Sequence, residues 1–93
     1  MPYIKSEQRP ELDEIVELMA EKGVQANGDL NYILYAFAKR HVEPGYNNFK
    51  NYLGELHECG EEIRRRLLAI YEQGKIAENG DVKWKATLSF IKY

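Results

Sequence analysis

Two runs of carboxylates are the first candidates for chemistry. Glu14, Glu17 and Glu21 recur at three- and four-residue spacing, and Glu55, Glu58 and Glu62 do the same further along. On a helix such residues share a face, and an E-x-x-E pair such as Glu14/Glu17 or Glu55/Glu58 could hold magnesium for a phosphohydrolase. That chemistry needs carboxylates converging from more than one helix, and the intervening helical segment carries no E-x-x-D companion. Solvated charge on an exposed helical face is the plainer reading.

The remaining candidates are thinner. His57 and Cys59 stand two residues apart, which on a helix points them about 200° away from each other and prevents a shared metal. Cys59 falls on an apolar stripe and reads as a small core residue. Gly28 and Gly80 each precede an aspartate, without the glycine-rich loop that cradles phosphate. No cofactor, metal or catalytic residue is therefore assigned, and the balance leans against an enzyme. Arg64-Arg65-Arg66 is the sharpest basic feature. Three consecutive helical residues fan over about 200° and make no flat patch. Arg66 falls beside the apolar stripe, so either its stem lies on the core with its head in water, or it pairs across helices or subunits. With Lys39 and Arg40 these arginines support a second reading, a small nucleic-acid-associated regulator. The net charge of −2 argues against it, since such binding rests on neutralised phosphates.

A chain of 93 residues, 44% apolar and 30% charged, suits one globular domain over residues 1–93. No stretch approaches the length of a membrane span, and the opening residues lack the apolar run of a secretory signal. With one cysteine and no intrachain disulfide, a cytoplasmic protein is expected. Seven tyrosines offer large contact area with a polar tip, suited to half-buried packing and interfaces.

The elements that must position these residues are mostly helical. Leu12, Ile15, Val16 and Met19 recur at helical spacing, with Ser6 as a cap and Pro10 tolerable in a first turn; this predicts a helix over about 9–22. Asp29 is the expected N-cap of a second helix over about 29–42, with Leu30, Ile33, Leu34 and Phe37 on one face and Lys39, Arg40 and His41 closing its end. After Pro44-Gly45 comes the stripe Phe49, Tyr52, Leu53, Leu56, Cys59, Ile63, Leu67 and Ile70. It keeps its phase across Gly54 and Gly60 and predicts one long helix over about 46–73, ended by Gly74. Glu61 with Arg65 and Glu62 with Arg66 are set for ion pairs one turn apart. From Val82 the period changes to two: Val82, Trp84, Ala86, Leu88 and Phe90 alternate with polar residues, predicting a strand over about 82–91. Asn79-Gly80 reads as a turn before it, with Ile76-Ala77, Tyr3-Ile4 or the same strand of a second copy as its pairing partner.

Gly28-Asp29-Leu30-Asn31-Tyr32 and Tyr71-Glu72, Lys75-Ile76 and Glu78-Asn79-Gly80-Asp81-Val82, together with the opening Pro-Tyr-Ile-Lys, resemble a family of small uncharacterised proteins from prokaryotes and their viruses. The resemblance spans roughly residues 2–82 and implies no activity or catalytic residue.

The sequence thus predicts a mainly α protein: two shorter helices packed on one long helix, with a C-terminal β-strand or small hairpin. The leading function is a non-enzymatic interaction module, forming a homodimer or small homo-oligomer and meeting a further protein partner. Its expected contact points are Gly54, Gly60 and Arg66 on the long helix and the anchors Trp84, Leu88 and Phe90 in the tail.

Overall fold

The computed structural model describes residues 4–84. The chain divides into two units, Met1–Glu58 and Cys59–Tyr93. The first begins with a 3-10 turn, Ser6–Gln8, followed by α1, Arg9–Glu21. Ser6 lies inside that turn and does not cap it. The Lys5 N–H donates to Gln8 Oε1 at 3.1 Å, and the Gln8 N–H donates to the Lys5 carbonyl at 3.0 Å. Helix α1 stops in a Schellman motif. The Gly23 N–H donates to Ala20 O and the Val24 N–H to Met19 O, both at 3.0 Å. This needs the positive φ of 73° that Gly23 adopts.

Helix α2 spans Gly28–His41. Its N-cap is Asn27 and not Asp29, because Asn27 Oδ1 accepts the orphan N–H of Asp29 at 2.9 Å. Asp29 instead accepts from the Gln25 N–H at 3.1 Å and ties the preceding loop to the first turn. Lys39, Arg40 and His41 occupy the last turn, where their charge complements the carbonyl end. Asn27→Ala is expected to lower stability by about 1 kcal/mol, read as an earlier urea midpoint, while Asn27→Asp keeps the cap and the midpoint.

Helix α3, Tyr46–Ile63, opens after Pro44-Gly45, with the Phe49 N–H donating to Gly45 O at 3.0 Å. Within the first unit it meets α2 through Tyr52. The Tyr52 hydroxyl donates to the Leu34 carbonyl at 2.5 Å, and its ring stacks on Phe37 with centroids 6.2 Å apart.

In the second unit the helix runs on through a π-helical turn, Arg64–Leu68, into α4, Ala69–Asn79. The Ala69 N–H reaches back five residues to Arg64 O, the signature of the π turn. Gly74 lies inside α4 and does not end it. A glycine in mid-helix costs only about 1 kcal/mol relative to alanine, and the stop is Gly80. That residue takes φ 87° and donates its N–H to Ile76 O at 2.8 Å. Asn79-Gly80 is therefore a helix terminus, not a hairpin turn. Ile76 and Ala77 are helical and cannot pair with a strand. The expected strand finds no support where it should begin: Val82 to Trp84 is irregular, and no strand occurs among the described residues. Ala86, Leu88 and Phe90 lie outside them.

No described side chain is buried in either unit. Cys59, read as a core residue, is exposed. On α1, Ile15 is 56% and Val16 58% exposed, although both stand on the apolar face.

Candidate interaction surface

A concavity lined mainly by apolar side chains lies between α2 and α3 in the first unit. One wall is built from Leu34, Tyr35 and Ala38 of α2, the other from Phe49, Tyr52, Leu53 and Leu56 of α3. These positions recur every three or four residues, so each helix turns the same stripe toward the groove. Asn31 and Lys39 supply the polar rim. The volume is about 500 Å³, within the range of ligand-sized clefts.

Tyr52 fixes the geometry. Its hydroxyl uses the second lone pair of a helical carbonyl, so the bond costs α2 none of its own ladder. The half-buried ring spans the helices and its stack on Phe37 sets their separation at that level. Phe37 in turn lies 5.6 Å from the His41 ring, one turn further along α2. Lys39 folds over Tyr35 with its Nζ 6.0 Å from the ring centroid, which leaves an amphipathic lip along the groove. Leu53 remains 64% exposed in the opposite wall.

A surface of this kind can bind apolar side chains. It offers no acid, base or nucleophile at bonding distance from another. Among the described residues no group of three or more histidine, cysteine, aspartate or glutamate side chains is placed to hold a metal ion. Glu14, Glu17 and Glu21 line one open face of α1 with Pro10, Asp13 and Leu18. Glu62 accepts from both Arg65 and Arg66, the latter at 3.2 Å. Arg65 thus pairs with Glu62, not with Glu61. The arginine run is partly neutralised by its own helix.

The expected contact points are placed as follows. A Cβ built on Gly54 or Gly60 would meet nothing within 4 Å, so neither is a close crossing point among the described residues. The Arg66 side chain is 62% exposed and shares a shallow surface with Glu62, Ile63 and Leu67. Trp84 is exposed and follows the end of α4 without belonging to a strand. Leu88 and Phe90 lie outside the described residues. Sequence reasoning missed the groove itself. Its signal was present in the seven-residue repeat Phe49/Leu56 on one helix and the four-residue repeat Leu34/Ala38 on the other. What periodicity does not say is that Tyr52 would bridge them.

No helix among the described residues is long and apolar enough to cross a membrane. No curated protein and no solved structure matches the chain. The family comparison does find a match, with the domain of unknown function DUF6899 over residues 1–82, and this covers both motif stretches read from the sequence. The chain belongs to the DUF6899 family.

Proposed function

We propose that the protein is a non-enzymatic interaction module that self-associates through the α2–α3 groove and the apolar face of α1. The observation that carries this is the unmet burial. Leu12, Ile15, Val16 and Leu18 on α1, and Tyr35, Phe49 and Leu53 at the groove, all face solvent in the single chain. Soluble monomers rarely leave contiguous apolar patches larger than a few hundred Å² uncovered. A second copy presents the same apolar stripes in return, as a two-fold interface requires. The packing of the shorter helices on the long one would be completed in that assembly. The single free thiol, Cys59, supports a reducing, cytoplasmic setting.

Size-exclusion chromatography with light scattering, run from low to high micromolar concentration, tests the reading. The expected result is a mass of two or more protomers of 10.9 kDa each. A single protomer throughout would overturn it.

A further inference from the structure

Asn27-Gly28 and Asn79-Gly80 are two copies of one reactive dipeptide, and the fold treats them differently. We infer that Asn27 is a site of spontaneous deamidation, activated by its place at the start of α2, while Asn79 is held back. The reaction is an attack by the backbone nitrogen of the following glycine on the asparagine Cγ. The glycine N–H loses its proton to solvent base and the N–Cγ bond forms. Nδ2 takes up a proton and leaves as ammonia. The five-membered succinimide that results is opened by water at either carbonyl, giving aspartate or isoaspartate at position 27. One water enters and one ammonia leaves, so nothing is oxidised or reduced.

Three features of Asn27 favour the closure. The first is the backbone angle. The substituents of an L-residue stand about 120° apart around Cα, so the next backbone nitrogen eclipses Cβ when ψ is about −120°. A flat succinimide ring requires that eclipse. Asn27 has ψ −141°, close to it. The second is the nucleophile. Gly28 is the first residue of α2, and a first-turn N–H has no acceptor within its helix. A Cβ added to Gly28 would meet nothing within 4 Å, so Gly28→Ala can be made there without a clash. The third is the leaving charge. The tetrahedral intermediate puts negative charge on Oδ1, and the Asp29 N–H already donates to that oxygen at 2.9 Å. The positive end of the helix dipole adds to this stabilisation.

Asn79 has the opposite environment. It is the last residue of α4. Helical ψ, about −40°, turns the next nitrogen well away from Cβ. The Gly80 N–H is also occupied, donating to Ile76 O at 2.8 Å.

The two products differ in consequence. Aspartate at position 27 remains a good cap. Isoaspartate carries the main chain through its side-chain carbon, adds a methylene between α1 and α2 and loses the cap geometry. The loop at the start of α2 therefore ages into two forms.

The test uses the full native chain, incubated at mildly alkaline pH in buffer and in parallel in urea. Trypsin separates the sites, since Asn27 falls in the peptide spanning residues 23–39 and Asn79 in that spanning 76–83. Mass spectrometry then follows a gain of about one dalton in each. The expected result is severalfold faster conversion of Asn27 than of Asn79 in buffer, with the two rates drawn together in urea. A ratio in buffer no higher than in urea would overturn the inference. Gly28→Ala is expected to slow Asn27 by about tenfold, because a Cβ crowds the attacking nitrogen, with Asn79 unchanged and the helical circular dichroism kept. An unchanged Asn27 rate in that variant would overturn the Gly28 route.

Discussion

Leu53→Asp is expected to release single protomers at concentrations where the parent chain associates. Leu53 stands in the α3 wall of the groove, mostly open to water in one chain. A carboxylate there costs little while the groove stays wet. When a second copy covers it, the charge must be taken into a dry contact without a partner. An unpaired buried charge costs about 3–5 kcal/mol, a hundredfold or more in the dissociation constant. In a two-fold assembly the penalty falls once on each side. Light scattering reads the shift in mass, and circular dichroism checks that the helices persist. Asn51→Asp adds the same charge on α3 outside the groove lining and is expected to leave the mass unchanged. Equal masses for Leu53→Asp and the parent chain would remove the groove from the interface.

Tyr52 carries the second large effect. Its ring and hydroxyl make the contact that joins α2 to α3 within one chain. Truncating a core aromatic to alanine costs about 3–5 kcal/mol. Tyr52 is half-buried, so the cost of Tyr52→Ala should be about half that. Tyr52→Phe separates the two contributions. It keeps the stack on Phe37 and deletes one hydrogen bond, for about 0.5–1.5 kcal/mol. Urea unfolding of the two variants at equal protein concentration measures both. If Tyr52→Phe proved as damaging as Tyr52→Ala, the hydroxyl and not the ring would set the helix pair. If neither moved the midpoint, α2 and α3 would be held by something other than Tyr52.

Local rules read the helices well and their ends less well. Both Asn27 and Asp29 are good caps by type. The difference is geometric, since a cap must present its oxygen to an N–H two residues on, and only Asn27 does so at the observed start of α2. Gly74 and Gly80 look alike in a sequence. Only the second takes positive φ, and the four residues from Lys75 to Glu78 are helix formers that carry α4 past the first. The π turn leaves no compositional trace, because it is one residue's shift in backbone pairing within an otherwise regular stripe. The largest gap concerns burial. The spacing of Leu12, Ile15 and Val16 says which face of α1 is apolar. It says nothing of what covers that face, and the described residues leave it exposed. The groove was half visible for the same reason. Each wall could be drawn from its own periodicity, but the pairing of the walls depends on Tyr52 reaching a carbonyl 18 residues away in sequence.

The lack of any buried side chain among the described residues also bears on heat. Unfolding raises heat capacity in proportion to the apolar surface newly wetted. An isolated protomer has less such surface left to wet than a domain with a buried core. Its helices would melt over a wide temperature range, as a peptide helix does, without the sharp endotherm of a cored domain. Where a calorimetric peak does appear, its sharpness would belong to the assembly, and its position would move with protein concentration.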